Sequence, residues 1–467
     1  MEKTAAQRTA QSFPNTLVVG LGKTGLSCIR HLTARGVPVA VTDSREQPPG
    51  LGALEAEFPE IPRFLGGFAA AAFRWAERLV VSPGVSLAEP PIARARAAGL
   101  EVLGDVELFA REAAAPVVAI TGSNGKSTVT SLLGEMARCA GVRVAVGGNL
   151  GKPALELLDA SVDLYVLELS SFQLETTESL ALQGAAVLNV SADHLDRYPD
   201  LRTYAAAKAR ILRRAEWAVL NRADPWVRAM EDQVERAIYF AAAPSEDEQS
   251  YGLMERTGET WLVRGKEALL PTSALVLSGR HQLANALAAL ALAETCGLDR
   301  SACLTALQRF RGLPHRSQWV ATCGGVRWVD DSKATNPGAT IAALQGLGSD
   351  QGKLILIAGG LGKGADFSEL GESIARWVHR VVLLGRDAPQ IERAIRGRVP
   401  VVRVNTMEAA VQQAHVWAQP GDLVLLSPAC ASFDLFQNFA HRGQVFAAAV
   451  QALPHEQADH GFPDEHS

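Results

Sequence analysis

The chain has 467 residues, which at roughly 100–200 residues per domain predicts two to four domains. Hydrophobic residues make up 48% and charged residues 20%, so the composition supplies packed cores and excludes wholesale disorder. The 45 basic and 50 acidic residues give a net charge of −5, without the basic excess of nucleic-acid-binding proteins, and we expect no nucleic-acid partner.

The N-terminal segment 1–15 contains no apolar core of the kind found in signal peptides. The most apolar helical stretch, 283–293, is too short to cross a bilayer. We therefore expect a cytoplasmic protein that does not insert into membranes.

Short β-branched runs alternate with Ala- and Leu-rich helical stretches along the whole chain. This alternation predicts an α/β protein whose parallel or mixed sheets are covered by helices, with ligands bound beyond the carboxyl ends of the strands. The predicted strands, in chain order, are 17–19, 37–42, 79–81, 117–121, 142–146, 164–168, 186–190, 353–358, 381–384, 401–404 and 423–426.

Three domains are predicted from the breaks in this pattern. Residues 1–104 form a Rossmann-like unit, and a new strand and glycine-rich loop place a second unit at 105–312. The segment 311–314, Arg-Gly-Leu-Pro, follows a predicted helix and indicates a hinge before a third, Rossmann-like unit at 313–467. We expect the polar tail of this unit to be frayed from about residue 454.

A first glycine loop, GLGKTG at 20–25, joins the strand 17–19 to a predicted helix, and Asp43 ends the next strand. Such glycines let the backbone approach a pyrophosphate at a helix N-terminus. Alone, the loop indicates an NAD-dependent dehydrogenase, but a uridine diphosphate fits the same physics, and so does a turn without a ligand. Ser82 and Gly84, in a turn after another strand, could line the same crevice.

A second glycine loop, TGSNGKST at 121–128, predicts an ATP site. Lys126 can reach the β- and γ-phosphates, and the Ser127 hydroxyl can bind Mg²⁺. Ile120 stands where the usual pattern has a glycine, so the loop is a shortened variant. The ATP-binding residues predicted here are Gly122, Ser123, Asn124, Gly125, Lys126, Ser127 and Thr128.

A metal-binding acid is expected near this loop, and Glu168 closes a neighbouring predicted strand. His194 follows another strand on the same sheet and is either a ligand or an ordinary packed or exposed histidine. Lys208, in the predicted helix 203–212, looks like a solvated surface lysine.

Taken together, these blocks resemble the Mur ligases, ATP-dependent amide-forming enzymes of peptidoglycan assembly. The resemblance runs from about Leu17 to Val450 and rests on GLGKTGLS, SPGV, AITGSNGKSTVT, VGGNLG, LELSSFQLE, NVSADHLDRY, GRHQLANALAA, GLPHRSQ, DDSKATNP, GGLGKGADF and LLSPACASFD. It implies a monomeric ligase that adds D-glutamate to UDP-N-acetylmuramoyl-L-alanine through an acyl phosphate. The alternatives are a family ligase for another amino acid, folylpolyglutamate synthase, a nicotinamide-dependent oxidoreductase and a P-loop ATPase without ligase activity.

The resemblance also implies roles for individual residues. The UDP-substrate contacts would be Gly22, Lys23, Thr24, Asp43, Ser44, Arg45, Ser82, Gly84, Asn149 and His194. Asn285, Arg316, Asp331 and Lys333 would complete the ATP site. Two Mg²⁺ ions would be held by Ser127, Glu168, His194 and a carbamylated Lys208. The catalytic set would be Lys126, Glu168, His194, Lys208 and Arg316, and the D-glutamate pocket Thr335, Lys363, Ser432 and Phe439.

Asp331 and Lys333 lie across the predicted hinge from the second glycine loop. We therefore expect the third unit to swing in to complete the site and exclude water. Two positions depart from the family pattern: Lys23 is often apolar in relatives, and Gln282 stands where a relative carries Asn.

Overall fold

The computed structural model describes residues 13–245, 247–277, 279–348 and 353–453. The tail for which we predict fraying lies outside these residues. Three separate sheets follow one another along the described chain, each flanked by helices, so the predicted α/β class with parallel and mixed sheets is confirmed. None of the helices in these ranges is both long and apolar enough to cross a membrane.

The first sheet has five parallel strands. They are β1 (Thr16–Val19), β2 (Val39–Thr42), β3 (Arg63–Phe64), β4 (Arg78–Val81) and β5 (Glu101–Leu103). The accompanying helices are α1 (Lys23–Thr33), α2 (Leu51–Glu57), α3 (Ala70–Trp75), α4 (Pro90–Ala97) and α5 (Asp105–Ala110). The strand order is β3-β2-β1-β4-β5, so the direction of the crossovers reverses between β1 and β4. The first glycine loop follows β1 and the turn with Ser82 follows β4, which places both at this switch point.

The central sheet has nine strands. They are β6 (Val117–Thr121), β7 (Val144–Gly148), β8 (Leu164–Glu168), β9 (Leu182–Val187), β10 (Ala215–Asn221), β11 (Ala237–Pro244), β12 (Ser250–Arg256), β13 (Glu259–Arg264) and β14 (Glu267–Pro271). The helices are α6 (Lys126–Cys139), α7 (Ser171–Glu175), α8 (Leu201–Ala209), α9 (Pro225–Arg228), α10 (Arg280–Thr295) and α11 (Arg300–Arg309). The order is β14-β13-β12-β11-β10-β9-β6-β8-β7, and only the pairs β12–β13 and β13–β14 are antiparallel.

Helix α10 is apolar on nearly all sides, as expected of a helix packed between α6 and the central sheet. Its run of Ala and Leu residues is buried from Asn285 to Ala293. The burial of this helix fixes the position of Asn285 against the second glycine loop.

The third sheet has six strands. They are β15 (Gln318–Cys323), β16 (Val326–Asp330), β17 (Leu354–Ala358), β18 (Val378–Leu383), β19 (Val401–Arg403) and β20 (Leu423–Leu426). The helices are α12 (Pro337–Leu347), α13 (Ser368–Trp377), α14 (Ala388–Ile395), α15 (Met407–Trp417) and α16 (Phe439–Gln451). The order is β15-β16-β20-β17-β18-β19, with only β15 and β16 antiparallel.

The structure departs from the predicted strands in the middle of the chain. The strand predicted at 186–190 is β9, Leu182–Val187, and residues 188–190 form a loop. Gly184 obscured its start, because a Cβ there would lie 2.3 Å from Thr295 Oγ1 and only glycine fits. The strands β10 to β16, and the short strands β3 and β5, were not predicted.

Candidate active site

The first glycine loop borders a cavity of about 550 Å³ between the first and central sheets. Nine of the ten predicted UDP-substrate residues line it, and the tenth, His194, lies in a neighbouring cavity. Gly25 packs so closely on the loop that a Cβ there would lie 1.9 Å from Gly20 O. Gly25 therefore allows the loop to pack on its own backbone, whereas the approach of a pyrophosphate to these glycines stays a prediction.

Asp43 organises this loop from within. Its carboxylate accepts hydrogen bonds from Leu21 N at 2.7 Å and from Arg45 Nε and Nη2 at 2.8 and 2.7 Å. Burial alone would raise the pKa of Asp43, but these hydrogen bonds hold it below its ordinary value. On the other side of the cavity, Lys23 Nζ donates to Gly151 O at 2.6 Å and so links the first glycine loop to the central segment.

The second glycine loop wraps from β6 into α6 through two left-handed glycines. Gly122 has φ +154° and Gly125 has φ +84°. A Cβ on Gly125 would lie 2.4 Å from Asn285 Oδ1, so α10 closes directly on the loop. Lys126 Nζ donates to Gly122 O at 2.8 Å and to Ser123 O at 3.0 Å, and burial lowers the pKa of Lys126. The lysine thus lies folded on its own loop, beside the space where phosphates would lie.

A cavity of about 310 Å³ brings the predicted catalytic residues together. It contains every member of the catalytic set and every residue of the predicted D-glutamate pocket, although they come from two distant parts of the chain. These residues are Lys126, Glu168, His194, Lys208, Arg316, Thr335, Lys363, Ser432 and Phe439. Asn149 lines both this cavity and the first, so the two compartments adjoin.

Glu168 has one bonded and one free carboxylate oxygen. Oε1 accepts a hydrogen bond from Asn149 Nδ2 at 2.6 Å, whereas Oε2 is buried without a partner. Within the described ranges, no group of three or more His, Cys, Asp or Glu side chains is placed to hold a metal by itself. A buried carboxylate oxygen without a donor fits a cation whose remaining ligands include phosphate, hydroxyl or carbamate oxygens.

Lys208 is not the surface lysine that its helix suggested, because it is only 1% exposed. Its Nζ donates to Gly122 O at 2.8 Å and lies 4.3 Å from the centre of the Tyr204 ring. Burial, and then the charge of Lys126, lower the pKa of Lys208 well below its ordinary value. This shift favours the neutral amine more than it is favoured in a lysine exposed to water.

His194 lies in a left-handed turn, with φ +57°, and packs edge-on against Phe172 at 4.9 Å between ring centres. Burial lowers the pKa of His194, and the charges of Lys363, Lys126 and Lys208 lower it further, against the opposing effect of Asp193. Its imidazole is therefore neutral near pH 7, which is the form that binds metals.

The third segment reaches directly into the second glycine loop. Arg316 Nη2 donates to Ser127 Oγ at 2.7 Å. Asp331 accepts from Ser317 N at 3.0 Å and from Ser427 Oγ at 2.8 Å, and burial raises its pKa to about 7. We call this arrangement, in which the third segment contacts the second glycine loop, closed.

Lys333 projects toward the same cavity from beneath the aromatic ring of Phe439. Its Nζ lies 4.1 Å from the ring centre, and burial, followed by the charge of Arg316, lowers the pKa of Lys333 to about 8. Arg442, which is fully buried, donates to Ser332 Oγ, Ser332 O and Cys430 O at 2.9, 2.8 and 3.1 Å. This arginine ties the segment that carries Lys333 to the segment that carries Ser432.

A third cavity of about 810 Å³ lies between α10 and α12. The predicted ATP residues that line it are Asn124, Gly125, Thr128, Asn285, Arg316, Asp331 and Lys333. Ser123, Lys126 and Ser127 line the 310 Å³ cavity instead, while Gly122 contributes its carbonyl to Lys126 and Lys208. Gln282, the departure from the family pattern, accepts a hydrogen bond from Asn285 Nδ2 at 3.2 Å.

Sequence reasoning missed several residues that line the 310 Å³ cavity, among them Asp193, Tyr204 and Asn336. Asn336 had a readable signal, since Asn followed by Pro is typical of a helix N-cap and first turn. Tyr204 lies one helical turn before Lys208, and Asp193 adjoins His194, so both are close in sequence to predicted residues. Only the contact of Asp193 with Asn336 requires the folded chain.

Three family models match the chain in order: the MurD-like N-terminal domain of Mur ligases at 14–104, the Mur ligase middle domain at 120–293 and the Mur ligase glutamate ligase domain at 315–430. The chain is 57% identical to the UDP-N-acetylmuramoylalanine--D-glutamate ligase of Nitrosococcus oceani, over 95% of this chain and 98% of that one. It is 53% identical to the ligase of the same name from Pseudomonas aeruginosa, over 94% and 98% of the two chains.

Solved structures share the fold at lower identity. The UDP-N-acetylmuramate-alanine ligase MurC of Thermotoga maritima superposes with a TM-score of 0.60 at 19% identity, covering 94% of this chain and 99% of that one. MurF of Acinetobacter baumannii gives a TM-score of 0.58 at 18% identity, covering 94% and 92%. The ordered family matches, the high identity to the curated relatives and the shared fold agree: the chain belongs to the Mur ligase family.

Proposed function

We propose that the chain joins D-glutamate to the alanyl carboxylate of UDP-N-acetylmuramoyl-L-alanine, converting ATP to ADP and phosphate, in the synthesis of peptidoglycan precursors. The observation that carries this proposal is the single 310 Å³ cavity, where the glycine-loop lysine, Glu168 and Lys208 face Thr335, Lys363 and Ser432. Relatives more than half identical to this chain bear the name of that ligase. Since one chain supplies all these groups and the substrates are nucleotides, we propose that a monomer acts in the cytoplasm.

The proposed reaction has two steps. An oxygen of the alanyl carboxylate attacks the γ-phosphorus of ATP, and the bond from that phosphorus to the β-phosphate oxygen breaks, giving an acyl phosphate and ADP. The amine of D-glutamate then attacks the acyl carbon to form a tetrahedral intermediate. That intermediate collapses with loss of phosphate, the nitrogen having released a proton, and an amide remains.

The first step needs positive charge around the reacting atoms. Two like unit charges 4 Å apart repel by about 4 kcal/mol at an effective dielectric near 20, and a carboxylate meets several charges on a triphosphate. Lys126, Arg316 and Lys333 line the cavity where these anions would meet. Positioning and charge neutralisation are the main sources of catalysis in phosphoryl transfer.

Magnesium would supply further positive charge when bound. We propose that Glu168, His194, Ser127 and a carbamate on Lys208 hold it, as two ions. The buried free oxygen of Glu168 and the neutral imidazole of His194 support this assignment. The lowered pKa of Lys208 supports the carbamate, because only a neutral amine adds to CO₂, and the product is a carboxylate-like anion.

The amino-acid pocket is proposed at the far wall of the same cavity. The Lys363 ammonium and the hydroxyls of Thr335 and Ser432 are suited to the two carboxylates of glutamate, and the ring of Phe439 supplies an apolar wall. Because this wall belongs to the third segment, the closed arrangement brings the amine to the activated carbonyl and keeps water away.

The test is ADP release with ATP, magnesium and UDP-N-acetylmuramoyl-L-alanine, with D-glutamate, L-glutamate, L-alanine or a diamino acid added in turn. We expect ADP release and a new amide product, identified by mass spectrometry, with D-glutamate alone. Preference for another amino acid would assign a different ligase of the family. ADP release that ignores every amino acid would indicate an ATPase without ligase activity.

A further inference from the structure

Asn336 bridges two parts of the chain that lie 212 positions apart in the sequence. It immediately precedes α12 in the third segment, yet its side chain reaches the second glycine loop and the loop before α8. The residue is only 5% exposed. The mechanism described above gives it no role.

The Oδ1 and Nδ2 atoms of the Asn336 amide make different sets of hydrogen bonds. Oδ1 accepts a hydrogen bond from Ala339 N at 2.8 Å and so caps α12. Nδ2 donates to Asp193 Oδ2 at 3.0 Å and to Asn124 Oδ1 at 3.3 Å. Oδ1 also accepts a hydrogen bond from Asn124 Nδ2 at 3.5 Å, so both atoms of the amide contact the second glycine loop, and Nδ2 alone donates to Asp193.

Both residues that receive these hydrogen bonds belong to parts of the site that must be aligned. Asn124 is in the glycine loop, and its backbone N–H donates to Asn189 Oδ1 at 2.8 Å. Asp193 accepts from the backbone N–H of His194 at 2.9 Å and so shapes the turn that presents the imidazole. Asn336 thereby touches the nucleotide side and the histidine side at once.

The other neighbours of Asn336 are residues of the third segment, in or near the site. Thr335, in the proposed glutamate pocket, is its immediate neighbour in the chain. Thr340, one turn into α12, donates to Ser427 O at 3.2 Å, and Ser427 Oγ in turn holds Asp331 at 2.8 Å. A shift of the start of α12 would therefore move both the glutamate side and the nucleotide side.

We propose that Asn336 is the latch that holds the third unit closed on the glycine loop, and that it is a positioning residue for the ligase reaction. It touches no reacting atom and acts by aligning Thr335, Asn124 and the turn of His194. The kinetic effect of this residue rests on the proposed function, whereas the closed arrangement is a property of the folded chain.

The test uses variants that keep the helix cap. Ser and Asp are both good N-cap residues, so Asn336→Ser and Asn336→Asp retain the hydrogen bond to Ala339 N but lose the donor across the site. Asn336→Asp also sets a carboxylate against Asp193. The double variant Asn336→Asp with Asp193→Asn exchanges the two residues, so the pair again has one donor and one acceptor. The single variant Asp193→Asn completes the double-mutant cycle.

We expect both single variants at Asn336 to raise KM for D-glutamate and for ATP about tenfold, with the melting temperature unchanged. The reversed double variant recovers most of the loss. Wild-type KM values in the single variants would overturn the proposal, and so would a double variant no better than Asn336→Asp.

A second measurement does not depend on ligase activity. Small-angle X-ray scattering of the full chain with magnesium and a non-hydrolysable ATP analogue is expected to give a smaller radius of gyration for the wild type than for Asn336→Asp. Identical radii would overturn the latch. A wild type that compacts but joins no amino acid would instead overturn the proposed function and leave the latch supported.

Discussion

Lys126 and Lys208 donate to the same acceptor, the carbonyl oxygen of Gly122, each at 2.8 Å. Two ammonium groups that share one neutral oxygen repel each other, and burial makes this repulsion stronger. The pKa of Lys208 is therefore lowered by burial first and by Lys126 second. Burial lowers the pKa of Lys126 as well, and the shift at Lys208 favours its neutral amine.

Replacing Lys208 by arginine removes the amine that we propose takes up CO₂. Arginine remains charged and cannot form the carbamate, so we expect Lys208→Arg to lose at least about 100-fold in rate. The measurement is ADP release under the ligase conditions, and ¹³C NMR with labelled bicarbonate shows whether the carbamate forms in the wild type. The matched control is Lys152→Arg, at an exposed lysine. Full activity in Lys208→Arg would mean that the lysine is structural.

Lys333 belongs to the third segment and lines the 310 Å³ cavity together with Lys126 and Arg316. Truncation to alanine removes a cation held 4.1 Å from the Phe439 ring, so we expect Lys333→Ala to raise the apparent KM for ATP about tenfold and to lower kcat. Steady-state kinetics at varied ATP provide the check, with Lys353→Ala as the control at an exposed lysine of the same segment. Kinetics equal to those of the wild type would show that Lys333 does not help the third segment to bind ATP.

Asp331 makes the stability of the nucleotide-free protein depend on pH. Burial raises its pKa from 3.8 to about 7, so the folded chain binds a proton more tightly than the unfolded chain does. The stability that this proton contributes is complete below pH 3.8 and is lost as the pH rises through about 7. A shift of this size corresponds to at most about 4 kcal/mol.

Asp331→Asn removes this dependence because asparagine cannot ionise. We expect the free energy of unfolding, measured by urea titration between about pH 4 and 8, to fall less steeply in the variant than in the wild type. Near the acid end the two proteins should be similar, and near the alkaline end the variant should be the more stable. Parallel profiles would show that Asp331 is ionised in both states.

Gly125 combines a left-handed backbone with a close neighbour. Gly125→Ala places a Cβ at φ +84° and 2.4 Å from Asn285 Oδ1, so we expect about 1–3 kcal/mol of lost stability and weakened ATP binding. Gly141→Ala is the matched control, because Gly141 has φ +80° with nothing within 4 Å. ATP affinity by calorimetry separates the two, since only the Gly125 variant should lose binding.

Lys23 joins the first glycine loop to the central segment across the proposed UDP site. We expect Lys23→Met to raise KM for the UDP-linked substrate several-fold, since a cation at the N-terminus of α1 is lost, while KM for ATP stays unchanged. Initial rates at low and high salt test this, because a charge contact weakens with ionic strength. An equal change in both KM values would instead indicate a general disturbance of the domain contact.

The sequence was sufficient where local chemistry is specific. Strand β6, which leads into the second glycine loop, has the predicted bounds, and so do the buried apolar strands β8 and β20. Lys208 looked like a surface residue because its contact with Gly122 O in the glycine loop forms only in the folded chain, although Tyr204, four residues earlier in α8, also packs on it. Asn336 was readable as a helix cap but not as a contact with Asp193, since that contact exists only when distant segments meet.

Asn149 lies in the walls of two neighbouring cavities, and its amide already holds one oxygen of Glu168. The Nδ2 of this amide has a second N–H, which a compound in the first cavity could accept while Glu168 keeps its hydrogen bond. If the first cavity holds the sugar nucleotide as proposed, an inhibitor bound there could contact the residue that positions Glu168 without resembling ATP.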